Sequence, residues 1–240
     1  MPMVKLIAFD LDGTLTQHKT PLEPANLEAL QELSKKYKLI MAGAGACMRI
    51  FNQLGGFPID IIGNYGLQFG QYNAETKTLD ILENNILPCN KESVEARVNF
   101  CREKYGFKEY AGDNVQYHES GCVTFPIIGT AAKIEDKLTF DPDRAKRRAI
   151  YNEICEIFSE YNVFVGGSSS FDMAPRPFHK YYALQKYCEK NGIALDEVVF
   201  VGDDYGPGGN DESVYLSPIR FVKVDDYRTF PTVMRAEGLL

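Results

Sequence analysis

The 240-residue chain has no C-x-x-C pair, no apolar run long enough to span a bilayer and no excess of positive charge. Its six cysteines, Cys47, Cys89, Cys101, Cys122, Cys155 and Cys188, are scattered. At this size that argues against a disulfide framework and for buried free thiols in a reducing compartment. The net charge of -7 and the pI near 5.1 disfavour a fixed basic groove for nucleic acid and a generic anionic-membrane binder. A phosphate-handling site must then hold its positive charge locally. The three histidines, His18, His118 and His179, show no metal-ligand spacing and are expected at the surface or in supporting roles. The N-terminal residues run straight into an apolar strand, without the ordered parts of a secretory leader, so the expected location is cytoplasmic.

What is present is an alternation of short apolar runs and helical periodicity. Residues 4–9 form an apolar run that stops at Asp10, as a buried parallel strand would. Residues 24–36 carry Leu27, Leu30 and Leu33 at helical spacing. Residues 38–42 read as a strand, ending in the small-residue loop Gly43-Ala44-Gly45-Ala46. A short helix ends at Gly55-Gly56, and residues 59–62 give a third strand. This predicts an α/β fold, a doubly wound core on a parallel sheet. The rhythm then changes. Short strands over 67–82 precede an amphipathic helix over 91–105, with Asn90 as its N-cap. Strand-like residues 115–128 are broken at Ser120-Gly121. Pro142, preceded by Asp141, is expected to open a helix with Ile150, Ile154, Ile157, Phe158 and Tyr161 on its apolar face. Two strands follow, over 163–165 and 170–174, and the α/β rhythm returns after Pro177. The expected division is core over 1–80, an inserted α+β module over 81–178, and core again over 179–240.

Three features carry chemistry. In Phe9-Asp10-Leu11-Asp12-Gly13-Thr14-Leu15-Thr16, an apolar strand delivers two carboxylates two residues apart. Extended chain puts both on one side, at the strand end where open α/β sheets bind ligands. A lone D-x-D is often only a turn, but this longer pattern is more specific. A second acidic strand end, Val201-Gly202-Asp203-Asp204, leads into Gly206-Pro207-Gly208-Gly209-Asn210-Asp211. Carboxylates and an amide on a Gly-rich loop suit a hard, oxygen-seeking cation such as magnesium. Lys180 lies near the start of a helix, where it is either a solvated lysine or an anion contact. Together they suggest phosphoryl transfer. Asp10 is the expected nucleophile, and Asp12 the acid and base, with a pKa above that of a free aspartate. Magnesium is expected on Asp10 and Asp203 with a backbone carbonyl, and Asp12, Asp204, Asn210 and Asp211 are further candidate ligands. Lys180 supplies a second positive contact.

These motifs resemble those of the haloacid dehalogenase-like hydrolases, with Asp10, Asp12, Lys180, Asp203 and Asp204 in the family's order and spacing. The segments Asn64-Tyr65-Gly66-Leu67, Gly167-Ser168-Ser169-Ser170-Phe171-Asp172, His179-Lys180 and Pro207-Gly208-Gly209-Asn210-Asp211 are similar to the eukaryotic-type phosphomannomutase branch. The resemblance implies a Rossmann-like core and an inserted α+β cap that closes on a sugar phosphate, with Ser170 and Asp172 on sugar hydroxyls. The related mutases also suggest a homodimer formed through the cap.

The departures concern the distal phosphate of the substrate. Arginines hold it in the mutases, whereas His118, Thr130 and Lys137 stand at the alignable cap positions and Lys19 replaces another arginine. Gly45 stands where the family has a Ser or Thr, leaving only a backbone amide for phosphate there. Arg and Lys are not equivalent as bidentate phosphate clamps, although Lys133 and Lys137 could replace the arginines in part. A mutase must hold a bisphosphate in two orientations, whereas a phosphatase needs only to admit water. The expected activity is therefore hydrolysis of a phosphorylated sugar or similar metabolite. Phosphomannomutase activity is the first alternative. A catalytically silent binding protein is the second, disfavoured because Asp10, Asp12, Lys180 and Asp203 are all kept.

Overall fold

The computed structural model describes residues 3–240. They divide into two units: residues 3–84, 179–206 and 211–240, and residues 85–178 with 207–210.

The first unit is built on a seven-stranded sheet. Its strands are β1 (Leu6–Phe9), β2 (Lys38–Ala42), β3 (Asp60–Gly63), β4 (Gln68–Asn73), β5 (Thr78–Asn84), β10 (Val198–Gly202) and β11 (Arg220–Lys223). Their order is β11-β10-β1-β2-β3-β4-β5. The first five run parallel, and β4 and β5 close the edge as an antiparallel pair. The continuous apolar strands follow from burial on both faces. Ile7 and Phe9 pack with Leu30 and Leu33 of α1 (Pro24–Ser34), Phe51 of α2 (Cys47–Gln53), and Phe230 and Met234 of α8 (Phe230–Ala236). Leu6 and Ala8 pack on the other face with Ala183, Leu184 and Tyr187 of α6 (Lys180–Asn191) and Val214 of α7 (Glu212–Tyr215). Full burial of each large side chain contributes roughly 1.5–3 kcal/mol. The parallel, doubly wound core expected from the sequence is therefore present.

The second unit has a four-stranded antiparallel sheet in the order β6-β7-β9-β8, with β6 at Gln116–Tyr117, β7 at Val123–Pro126, β8 at Tyr161–Phe164 and β9 at Ser170–Pro175. Its helices are α3 (Lys91–Tyr105), α4 (Ile134–Phe140) and α5 (Ala145–Ile157). Val94, Val98 and Cys101 of α3 and Ile154 of α5 share one core with Phe125, Phe158, Phe171 and Met173. Two fully engaged arginines tie this unit together. Arg147 donates from Nε to Asp141 Oδ2 at 2.8 Å and from Nη1 to the Gly166 and Ser170 carbonyls. Arg102 donates to the Phe107, Pro126 and Ile127 carbonyls and to Asn114 Oδ1.

Three sequence expectations need correction. Residues 81–84 belong to β5 and to the first sheet, because their backbone pairs with β4. The helix expected from Pro142 begins at Ala145 instead. Arg144 adopts the left-handed conformation (φ 60°), and Asp141 reaches past it to accept from the amides of Lys146 and Arg147. Tyr161, placed on that helix by periodicity, starts β8. All six cysteines are free, four of them buried. Among the described residues, no helix is long and apolar enough to cross a membrane.

Candidate active site

β1 and β10 are parallel neighbours, with Phe9 level with Val201. The Asp10 amide donates to the Val201 carbonyl at 2.9 Å, extending the pairing by one residue. Both strands therefore release their acidic residues at the same edge. Gly13 turns the chain with φ +106°, and a Cβ there would meet the Asp203 carboxylate at 2.4 Å. Only glycine permits both that turn and that approach.

One oxygen each from Asp10, Asp203 and Asp211 lies within 4.8 Å of the others. Lys180, the first residue of α6, is 0% exposed and donates from Nζ to Asp10 Oδ1 at 2.5 Å and Asp211 Oδ1 at 2.7 Å. Thr14 Oγ1 donates to Asp203 Oδ1 at 2.9 Å and lies 3.4 Å from Asp10 Oδ2. The Asp204 backbone clamps Asp211: its amide donates to Asp211 Oδ2, and its carbonyl accepts from the Asp211 amide. His179 caps α6, its Nδ1 accepting from the Tyr182 amide at 3.2 Å. That gives this histidine a structural role and fixes the residue after it.

The electrostatics follow from burial of like charges. Burial pushes the Asp203 carboxyl up, and the nearby charges of Asp10 and Asp211 push it further. Asp211 is also raised, by burial first and then Asp10, against the opposing Lys180. Burial alone would depress Lys180, but Asp10 and Asp211 outweigh it and raise the ammonium above its ordinary range. With all three ionised, the carboxylates outnumber the one ammonium by two negative charges. A divalent cation would cancel that excess, and a compact all-oxygen donor set suits a hard cation. Replacing Asp203 with asparagine removes one repelling charge. We expect Asp203→Asn to melt at a higher temperature than wild type in chelator, and to lose most of the stabilisation that magnesium gives wild type. A fall in melting temperature in chelator would sink the repulsion argument.

Asp12 faces a different group. It accepts from the Lys19 amide at 2.8 Å, Gln53 Nε2 at 2.7 Å and Arg49 Nη2 at 3.3 Å. Burial, the largest single influence, would raise its pKa. The Gln53 and Lys19 hydrogen bonds, with the charge of Arg49, more than offset it, so Asp12 titrates below a free aspartate. The expected upward shift is thus corrected: those donors come from α2 and the 17–19 turn, and spacing does not disclose them. Lys19 serves through its backbone, while its residue is exposed.

Of the other candidates, the Asp12 and Asp204 carboxylates are outside the three-carboxylate cluster, and Asn210 falls in the second unit. Gly45 closes the loop after β2, its carbonyl accepting from the Asn64 amide at 2.8 Å. In the second unit, Asp172 Oδ1 accepts from Thr124 Oγ1 at 2.9 Å and lies 3.5 Å from Ser170 Oγ, and His118 Nε2 is 3.1 Å from Thr124 Oγ1. Burial raises the Asp172 pKa despite Thr124 and His118. Lys137 donates to the Thr130 carbonyl at 2.8 Å. Thr14, Arg49 and Gln53 are site residues that the sequence reading did not select. Thr14 lay within the first motif; Arg49 and Gln53 carried only an i,i+4 spacing on a short helix.

The haloacid dehalogenase-like hydrolase family model matches residues 7–211, and the chain belongs to that family. Within it, the chain is similar to the phosphomannomutases. The Schizosaccharomyces pombe phosphomannomutase is 27% identical over 228 residues, covering 89% of this chain and 86% of that protein. The spinach (Spinacia oleracea) phosphomannomutase is 27% identical over 221 residues, covering 87% and 85%. Among solved structures, a Plasmodium falciparum IMP-nucleotidase mutant superposes with a TM-score of 0.70 at 17% identity, over 99% of this chain and 69% of its own. A subclass IIB sugar phosphatase of the same superfamily gives 0.62 at 16% identity, covering 99% and 100%. At these identities the structural likenesses speak for the fold.

Proposed function

We propose that the chain is a magnesium-dependent phosphatase that acts on a phosphorylated sugar or similar metabolite through an aspartyl-phosphate on Asp10. The observation that carries this is the Asp10, Asp203 and Asp211 cluster, with Lys180 buried among them, at the joined ends of β1 and β10. These three carboxylates would hold the magnesium ion. Bound there, magnesium would neutralise the charge that otherwise keeps a carboxylate from an anionic phosphate ester.

The chain's own groups perform the rest. Lys180 pins one oxygen of Asp10 and orients its carboxylate. Asp10 attacks phosphorus, the bond from phosphorus to the ester oxygen breaks, and Asp12 delivers a proton to that oxygen. In the second half, water attacks phosphorus, Asp12 takes its proton, and the bond to Asp10 breaks to release orthophosphate. Gln53, the Lys19 amide and Arg49 favour the Asp12 carboxylate, the form that takes a proton from water in the second half. That proton is the one Asp12 delivers to the ester oxygen of the next substrate.

Phosphomannomutase activity is the second reading, favoured by the relatives at 27% identity. The engaged Arg147 of the insert supports hydrolysis instead. Thr124, Ser170 and His118 around Asp172 suit sugar hydroxyls in either reading. Arg147, by contrast, is already bonded to the Asp141 carboxylate and to the Gly166, Gly167 and Ser170 carbonyls, and so is committed to the fold rather than to a second phosphate. The test is a screen of phosphorylated metabolites with magnesium, alongside mannose 1-phosphate with a hexose bisphosphate activator. We expect orthophosphate release that chelator abolishes. Fast isomerisation with little free phosphate would overturn the assignment in favour of the mutase.

A further inference from the structure

The loop after β2 lacks a hydroxyl, and the structure shows what fills its place. Phe9 is level with Met41 in the parallel β1–β2 pair, so Asp10 is level with Ala42. Residues 43–46 therefore leave the sheet at the edge that carries Asp10. A Cβ on Gly45 would lie 2.3 Å from Arg49 Nε, 2.3 Å from Nη2 and 2.6 Å from Cζ. The guanidinium occupies the volume that any side chain at residue 45 would need. Gly45 itself is outside the left-handed region, and the three atoms nearest to a Cβ there all belong to that guanidinium.

Arg49 is held in this position by its neighbours. Nη1 donates to Gln53 Oε1 at 2.8 Å, and Nη2 to Asp12 Oδ2 at 3.3 Å. Gln53 is held in turn by Asp12 Oδ1 and Thr16 Oγ1. The Arg49 side chain is 39% exposed. Among the described residues, these two contacts engage two of its five N–H groups. A planar cation with spare donors, braced beside the nucleophile's strand end, matches a tetrahedral oxyanion.

We propose that Arg49 is a substrate-binding residue whose guanidinium, seated in the space left by Gly45, grips a nonbridging oxygen of the phosphoryl group. This rests on the phosphoryl-transfer reading of the site and assigns to Arg49 the anion contact that Gly45 cannot make. Gly45 and Arg49 act as a pair, since a side chain at 45 displaces the guanidinium.

The test combines orthophosphate binding, measured by calorimetry with magnesium, and steady-state hydrolysis of an aryl phosphate. The proteins are wild type, Gly45→Ser, Arg49→Ala and the double variant, each checked for an unchanged melting temperature. Arg49→Ala should weaken orthophosphate binding and kcat/KM by roughly 10- to 100-fold, with guanidinium in solution restoring part of the loss. Gly45→Ser should lose a similar amount, because the displaced element is the mobile end of a side chain. The double variant should exceed both singles, its serine hydroxyl now reaching the vacated space. Orthophosphate binding unchanged in Arg49→Ala, or a double variant at or below the weaker single, would overturn the proposal. If wild type hydrolyses nothing yet Arg49→Ala loses orthophosphate, the phosphatase reading fails and the Arg49 assignment stands.

Discussion

Lys180→Met is expected to cost roughly 3–5 kcal/mol of stability and to abolish turnover. The lysine is 0% exposed and lies between Asp10 and Asp211, with Asp203 completing the cluster. Methionine keeps the apolar stem and removes the only ammonium that the described residues place in that cluster. Uncompensated buried carboxylates are what make such truncations costly. The sign of the pH dependence follows. Asp203 and Asp211 have folded pKa values above the unfolded value, so their repulsion is absent at low pH and grows as pH rises through the folded values. The deficit of the variant should therefore be larger at about pH 8 than at about pH 5.5. Thermal unfolding in chelator at the two pH values measures it. Equal melting temperatures for variant and wild type at the higher pH would show that Lys180 does not balance the cluster.

The second large effect is on chemistry alone. Asp10→Asn preserves shape while removing the proposed nucleophile, and kcat should fall by roughly 10³-fold or more. Folding should survive, because the variant loses a partner of Lys180 but also one member of a repelling trio. Wild type quenched in acid during turnover of a labelled substrate should carry label on the peptide containing Asp10, and the variant none. Equal rates for the two proteins would remove Asp10 from the mechanism whatever the rest of the site does.

The insert shows where local reading stops. Asp141 was visible as a helix-start signal, yet its carboxylate serves Lys146 and Arg147 across a left-handed Arg144. Periodicity ran the apolar face on to Tyr161, which the β-sheet takes instead. A helix pattern says which residues share a face and does not report a backbone break that a buried ion pair stabilises.

The paired carboxylates Asp10 and Asp12 were legible because their signal is local: an apolar strand, an abrupt acidic end and a glycine that turns the chain. The same holds for Asp203, for the start of α6 near Lys180, and for the parallel core, whose strands are apolar throughout because both faces are covered. Tertiary structure decided what those residues do to one another. Parallel pairing of β1 with β10 brought Asp10 to Asp203, and α6 carried Lys180 between Asp10 and Asp211, across 170 and 31 positions of sequence. It also separated the two carboxylates that began as a pair. Asp10 joined the cluster, while Asp12 turned to Gln53, the Lys19 amide and Arg49, which hold it below its ordinary pKa. Side-chain hydrogen bonds and burial depend on which elements pack together, and that is a property of the folded chain.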